Sequence, residues 1–226
     1  MNIDYTESLR EISAAADIWC DASASAGSLV SAADVALRAG AMRVATAPMH
    51  INIMWSWMEG KNVDVFAAFQ EQEAGNAEPA KLVAEIHAVF KKGAAGVILP
   101  RSTEIMSALL PVRQDLFFGK KLFLSVCMRN IGPQEWAEVF RNLKEMHADG
   151  ILLDARDVWG KGGNKRLESI DIVGKFYGFL DSFDNGFSGQ ISVIADSPRV
   201  MESIWRLACK MRPEAAKKLR FFVEHK

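Results

Sequence analysis

Short apolar runs alternate along the chain with longer stretches in which apolar residues recur at helical spacing. Runs that are apolar throughout are typical of strands buried on both faces, as in a parallel sheet covered by helices. The clearest run, Gly-Ile-Leu-Leu at 150–153, stops at the carboxylate of Asp154. Eight runs are predicted as strands, at 18–20, 43–47, 63–69, 96–99, 121–127, 150–154, 191–195 and 219–223.

Amphipathic stretches with helix-start and helix-stop residues fill the intervals between these strands. Ser31 is expected to cap the helix after the first strand, and Pro111 to bend the helix after the fourth. Residues 51–58, with Trp55 and Trp57, are expected to form a short helix or an aromatic lid. Core packing is the favoured role of this Met- and Trp-rich segment, and a partner surface is the alternative. Further helices are predicted at 31–39, 79–92, 103–118, 133–147, 169–183 and 198–211.

This alternation predicts a closed (β/α)8 barrel of the TIM type, with a doubly wound open sheet as the alternative. No linker or shift in composition divides the chain, so residues 1–226 are expected to form one domain. A helix at 5–16 is predicted before the first strand, and no helix is predicted after the eighth strand. We hypothesise that the N-terminal helix covers the surface that a final helix would otherwise cover.

Composition and charge narrow the classes of function. Of the 226 residues, 50% are hydrophobic, and the formal net charge is −1. A chain without a positive field is not expected to bind nucleic acid or an anionic membrane, and no apolar run reaches the ~18 residues of a membrane span. The three widely spaced cysteines form neither a disulfide framework nor a zinc motif. Because the N-terminus lacks a signal-peptide pattern, a cytoplasmic protein is expected.

Carboxylates follow four of the predicted strands, at the end where the active sites of (β/α)8 barrels lie. Strands one, six, seven and eight are contiguous in a closed barrel, so these carboxylates are expected to form one acidic arc. Such an arc suits a divalent metal or the polar part of a small substrate. The alternative is that the side chains face solvent or pair with one another. The four residues are Asp21, Asp154, Asp196 and Glu224.

Cationic residues and glycines follow other strands and suggest phosphate binding. Arg101 and Arg129 follow strands four and five. The loop after the sixth strand is long and basic, and it contains Lys161, Gly162 and Gly163. A glycine pair lets backbone approach a phosphate, although a flexible loop explains the pair equally well.

The segment Ser197-Pro198-Arg199 places backbone N–H groups and a cation at the predicted start of a helix. This arrangement suits a phosphate, and simple helix capping is the alternative. His50 follows the second strand and is interpreted as an ordinary polar residue, because no second catalytic group accompanies it in the sequence.

The region from the sixth to the seventh strand resembles the (5-formylfuran-3-yl)methyl phosphate synthase family of methanofuran biosynthesis. The resemblance rests on the strand end Leu153-Asp154-Ala155, the Lys-Gly-Gly loop at 161–163, Leu167 and Phe176 in the following helix, and the strand end at 195–197. Outside this region only the strand order matches. The likeness to deoxyribose-phosphate aldolases is looser and concerns the fold alone.

This resemblance implies a class-I-aldolase-like barrel that joins two triose phosphates through a lysine Schiff base, with no cofactor and no metal. Residue by residue, it implies that Asp154 is the acid–base partner and that Lys161 is the Schiff-base or phosphate-binding lysine. The resemblance and the cationic and glycine-rich segments together give the phosphate-binding candidates. They are Arg129, Gly162, Gly163, Ser197 and Arg199.

The chain departs from the family pattern in strands two and four, where the family has lysines. Here those strands are Val-Ala-Thr-Ala at 44–47 and Val-Ile-Leu at 97–99. Two functions therefore stay open. One is an aldolase- or lyase-like enzyme acting on a small phosphorylated aldehyde or ketone. The other is a catalytically reduced paralogue that serves as a binding or partner subunit in a cofactor-biosynthesis pathway, with an apolar patch near strand eight covered in a homo- or hetero-oligomer.

Overall fold

In the computed structural model, the described residues are 16–70, 78–156, 165–183, 187–195 and 198–225. Eight parallel strands pair in sequence order, and the last pairs with the first, so the sheet closes on itself. The predicted (β/α)8 barrel is confirmed, and the open sheet is wrong. The strands are β1 (Ala16–Cys20), β2 (Arg43–Thr46), β3 (Asp64–Ala68), β4 (Gly96–Pro100), β5 (Lys121–Cys127), β6 (Gly150–Asp154), β7 (Gln190–Ile194) and β8 (Leu219–His225).

Helices connect successive strands and cover the outside of the barrel. The segment 51–58 is a helix, and a 3-10 turn at Leu110–Val112 divides the predicted long helix around Pro111. The predicted N-terminal helix lies outside the described residues, apart from position 16, which begins β1. The helices are α1 (Ala26–Ala39), α2 (Ile51–Met58), α3 (Pro79–Lys91), α4 (Thr103–Leu109), α5 (Arg113–Leu116), α6 (Trp136–Glu145), α7 (Lys165–Asp181), α8 (Pro198–Met211) and α9 (Pro213–Ala216).

The start of α1 corrects one prediction, since Ser31 lies inside the helix rather than at its cap. The cap is Ser25, whose backbone is extended and whose hydroxyl accepts a hydrogen bond from the Ser28 N–H at 3.1 Å. A serine hydroxyl suits either position. The stretch between them, Ala-Gly-Ser-Leu-Val at 26–30, contains no proline to interrupt a helix, so the helix can begin at the earlier serine.

Apolar side chains fill the middle of the barrel interior. Gly150 leaves room for them, because a Cβ there would lie 2.3 Å from the Phe123 ring. Phe123 in turn meets Phe66 edge to face, with ring centroids 5.3 Å apart. The interior cluster, separate from the larger core between strands and helices, is Trp19, Ala45, Phe66, Ala68, Ile98, Phe123, Leu152, Ile194 and Phe222.

Beyond this cluster, toward the amino ends of the strands, the interior is charged. Asp17 has no exposed surface, and it accepts hydrogen bonds from Arg43 Nε at 2.8 Å and from two Arg220 nitrogens at 2.8 and 2.9 Å. Arg43 also donates to the Ser192 hydroxyl at 3.1 Å. One buried network therefore links β1, β2, β7 and β8, where the barrel closes.

Two arginines share one carboxylate in this network, so part of the positive charge needs other stabilisation. Burial lowers the pKa of the Arg43 guanidinium from its ordinary value, and the adjacent Asp17 carboxylate opposes that effect. The guanidinium also lies 5.3 Å from the Phe123 ring centroid and 5.1 Å from that of Phe222. Aromatic faces attract cations, so these rings stabilise the second charge.

The described segments of the chain include no helix with the length and apolarity that a bilayer crossing requires.

The charged network generates a stability prediction. Asp17→Asn should lower the free energy of unfolding by roughly 3–5 kcal/mol, because it leaves buried guanidinium groups without their carboxylate. The quantity to measure is the urea unfolding midpoint, with the slope checked for two-state behaviour.

Asp171→Asn is the matched control. It breaks an ion pair with Lys175 one helical turn away on α7, in which Asp171 is exposed, and exposed pairs contribute less than ~1 kcal/mol. Equal stability of Asp17→Asn and the wild type would contradict a structural role for the network.

Candidate active site

A cavity of about 540 Å³ opens at the carboxyl ends of the barrel strands. Its floor includes Trp19, Ile98 and Leu152, which belong to the interior apolar cluster. Its walls are polar side chains from the ends of several strands and from the loops that follow them. This is the position that the barrel topology predicts for an active site.

Asp154, the last residue of β6, lines this cavity with its side chain 25% exposed. Its Oδ2 accepts a hydrogen bond from the Arg156 guanidinium at 2.6 Å, and its Oδ1 accepts from Arg156 Nε at 3.1 Å. The backbone N–H of Arg156 also donates to Oδ1, at 3.0 Å. These charge-assisted hydrogen bonds fix the orientation of the carboxylate in the cavity wall.

Arg156 is held by three strands at once. Its guanidinium carbon lies 4.5 Å from the ring centroid of Trp19 on β1, and its Nη1 lies 3.7 Å from Glu224 Oε1 on β8. With the Asp154 contacts from β6, these interactions fix a planar cation on the cavity wall. A fixed guanidinium is suited to orienting a carboxylate or to binding an anionic ligand group.

Asp21, just beyond β1, is a second carboxylate in the lining. Hydrogen bonds from the N–H and hydroxyl of Ser23, both 2.8 Å, lower the pKa of Asp21, and the charge of Arg156 lowers it further. The group is therefore ionised near neutral pH and is a poor proton donor.

The remaining charged lining comes from β4 and from the turn before α6. The side chain of Arg101 donates to Glu138 at 2.9 Å, while Glu135 accepts a hydrogen bond from the Gly132 N–H. Among the described residues, the lining holds four carboxylates and two guanidinium groups, a net charge of −2. They are Asp21, Glu135, Asp154 and Glu224 against Arg101 and Arg156.

Two cysteines also line the cavity, in different environments. Cys20 is buried, and burial raises its pKa to about 12. Cys127, at the end of β5, is partly exposed and lies opposite Asp154 in the strand register. Of these two thiols, only the Cys127 thiol is accessible from the cavity.

The structure places the predicted site residues in three groups. Asp154 lines the cavity, as do Asp21, Glu224 and Arg101 from the predicted arcs. Arg129 and Arg199 are exposed and are not part of the described lining. The predicted residues that lie outside the described segments are Lys161, Gly162, Gly163, Asp196 and Ser197. The roles assigned to all these residues stay predictions.

Two carboxylates of the predicted acidic arc, Asp154 and Glu224, pair with Arg156. Within the described ranges, no three His, Cys, Asp or Glu side chains are arranged to hold a metal ion. His50 lies nearby, and its Nε2 makes a 3.0 Å hydrogen bond with the Ala22 carbonyl, which holds the loop after β1.

Sequence reasoning missed Arg156, Trp19 and Cys127. Arg156 was detectable, since positions 154 and 156 lie on the same side of an extended segment, and an acid–base pair at that spacing can meet. Trp19 and Cys127 carried no signal beyond their places within apolar runs.

No protein-family model and no curated protein sequence matches the chain. Its fold, in contrast, matches many solved structures. A Coccidioides immitis protein assigned as a deoxyribose-phosphate aldolase superposes with a TM-score of 0.70 at 13% identity, over 95% of this chain and 82% of that chain. The tetrameric deoxyribose phosphate aldolase of Aeropyrum pernix gives a TM-score of 0.67 at 8% identity, over 98% and 94%. The 3-dehydroquinate dehydratase of Enterococcus faecalis gives 0.60 at 15% identity, over 91% and 87%.

At these identities the likeness shows the (β/α)8 fold, which hosts several unrelated reactions. The resemblance to the (5-formylfuran-3-yl)methyl phosphate synthase family stays a prediction.

The thiol environments generate a reactivity prediction. The thiolate is the nucleophile, and the raised pKa of about 12 keeps Cys20 protonated at pH 8. Iodoacetamide should therefore alkylate Cys20 in the folded protein at least ~100-fold more slowly than the exposed Cys209. Peptide mass spectrometry over a time course measures both rates.

Protein unfolded in urea is the control, and there the two rates should converge. Equal labelling of Cys20 and Cys209 in the folded protein would contradict the buried position of Cys20.

Proposed function

We propose that the cavity is the active site of an aldolase- or lyase-like enzyme that acts on a small phosphorylated aldehyde or ketone, with chemistry similar to that of (5-formylfuran-3-yl)methyl phosphate synthases. The observation that carries the proposal is the position of Asp154. Its carboxylate lies at the carboxyl end of β6, in a cavity of about 540 Å³, directly before the basic loop that contains Lys161. A cavity of that volume suits a small substrate.

In this proposal Lys161 supplies the amine and Asp154 the acid–base group. The amine adds to the substrate carbonyl, and the carbinolamine loses water to give a Schiff base, which requires no cofactor. Asp154 moves the protons in these steps. Because Asp154 is paired with Arg156, the substrate must first draw the guanidinium away or share it.

The phosphate is assigned to groups outside the described lining, because that lining has a net charge of −2. Backbone N–H groups and cations bind phosphate, so the candidates are the glycine pair at 162–163, the helix start at Ser197 and Arg199, and Arg129.

Fold analogy supports the reaction class. Structures of similar fold include deoxyribose-phosphate aldolases, and one of these is described as tetrameric. This likeness raises the expectation of carbonyl chemistry on a phosphorylated substrate in an oligomer, by analogy alone. We also propose a cytoplasmic location, in keeping with the free thiols of Cys20 and Cys127.

A second candidate function is a binding or partner subunit with reduced catalytic capacity. Two observations favour it. The described cavity lining includes no lysine, and the Asp154 carboxylate is already paired with a guanidinium. A protein with this function would bind the phosphorylated compound without forming a covalent intermediate.

Borohydride trapping separates the two candidates. With dihydroxyacetone phosphate and sodium borohydride, the enzyme should gain the mass of a reduced adduct on the peptide that contains Lys161. Lys161→Arg should abolish the adduct, and Lys165→Arg, a change in the same region, is the matched control. Asp154→Asn should slow trapping by ~100-fold or more, the usual range for losing a general acid–base group.

Binding is measured separately from the reaction, by whether dihydroxyacetone phosphate slows the alkylation of Cys127. The distal Cys209 is the internal control. Protection without an adduct would favour the binding subunit and remove the Schiff-base proposal. If neither an adduct nor protection is seen in folded protein, both proposed functions fail.

A further inference from the structure

The outer surface of α1 and α2 has no role in the core or in the cavity, and it is unusually apolar. On α2 and the turn before it, Met49, Ile53 and Trp57 follow one another at intervals of four residues. Their exposed fractions are 71%, 36% and 49%. Residues at that spacing lie on one face of a helix, so they form an exposed apolar stripe.

The opposite face of α2 is already buried, since Ile51, Met54 and Met58 have no exposed surface. The helix thus carries large apolar side chains on both faces, and Asn52 and Ser56 are the polar residues of its exposed face. Large apolar side chains that cluster on an exposed face mark a contact surface. In the described part of the chain, α2 is covered on one side only.

A groove of about 430 Å³ runs between the stripe and α1. Trp57 forms one wall, Leu37 contributes to the other, and Gly27 and Ser31 leave space between them. Leu37 is itself 39% exposed. The groove can therefore accept a bulky apolar side chain from outside.

Charge is nearly absent from this surface. Among the 14 residues of α1 only Asp34 and Arg38 are charged, and none of the 8 residues of α2 is. The outer helix α8, also 14 residues, carries four charges. Depletion of charge together with exposed Met and Trp is the composition of protein–protein interface cores.

We propose that this α1–α2 face binds a second copy of the same chain about a two-fold axis. An interface of this kind is self-complementary. The face satisfies that requirement, because its one acid and one base lie a single helical turn apart. An antiparallel arrangement of the two α1 helices brings Asp34 opposite Arg38 of the partner subunit, and Arg38 opposite the partner's Asp34.

Trp57 is the anchor of this interface, since Trp residues in pockets are typical hot spots. In the dimer each Trp57 inserts beside the groove of the other subunit. A partner with a strong charge of either sign gains nothing from a neutral face, whereas this chain, with a net charge of −1, is not repelled by its own copy.

Analytical ultracentrifugation of the full chain tests the proposal, with a dimer expected at micromolar concentration. Trp57→Glu should raise the dimer dissociation constant at least ~30-fold, as removal of a hot spot does. Phe118→Glu, which changes an 89% exposed aromatic residue outside the face, is the matched control and should leave the constant unchanged. Circular dichroism checks that each variant is folded.

A charge-swap pair keeps the test decisive if Trp57→Glu does not fold, because Asp34 and Arg38 are largely exposed. Each variant by itself should form a weaker homodimer. Asp34→Arg places cations opposite each other across the two-fold axis, and Arg38→Glu places anions opposite each other. Mixed in equal amounts, the two variants should form the heterodimer at least ~10-fold more tightly than either forms a homodimer.

The proposal is overturned if the wild type is still monomeric at about 100 μM, roughly the highest protein concentration that the experiment can reach. A dimer that neither Trp57→Glu nor the charge swap affects would also overturn it, because such a dimer uses another surface. These outcomes do not depend on whether the cavity forms a Schiff base.

Discussion

The position of every group in the cavity depends on closure of the barrel between β8 and β1, and a buried carboxylate lies at that closure. Asp17 binds Arg43 on one side and Arg220 on the other, so one side chain bridges the first, second and last strands. Burying charge costs several kcal/mol per ion, and an apolar interior often gives equal or greater stability. The network instead fixes which strands meet and in what register, since a shift of one residue would turn Asp17 away from both arginines.

That register brings Trp19, Asp154 and Glu224 around one guanidinium. The three come from β1, β6 and β8, and only a closed sheet brings the ends of these strands together around one cavity. Arg156 consequently neutralises part of an acidic rim and holds the Asp154 carboxylate in place. The described rim is still acid-rich, so the proposed phosphate and amine groups are sought outside the described lining.

The helices that cover the barrel differ in the polarity of their outer faces, and the difference lies in α1 and α2. Helices such as α6 pair an apolar inner face with a charged outer face, as solvent-exposed helices do. In α2 the buried Ile51 and the exposed Ile53 lie on opposite faces of one short helix. The helix follows a turn whose His50 holds the loop after β1, so the apolar face lies close to the cavity rim without being part of it.

The sequence alone determined the eight strands and the position of Asp154 at a strand end, and it favoured a closed barrel over an open sheet. The patterns behind these features are local. An apolar run, a terminating proline or carboxylate and a helical period each involve only a few consecutive residues. It placed Ser31 at a cap that belongs to Ser25, because two serines near one helix start are equivalent without their backbone geometry. Only the tertiary structure decided that Arg156 meets Trp19 and Glu224 and that Asp17 lies between two arginines. It also decided that Trp57 faces outward while Met54 faces inward. Each of these features depends on contacts between residues far apart in the chain, or on which side of a helix packs against the barrel. The order of polar and apolar residues along the chain specifies neither of the two.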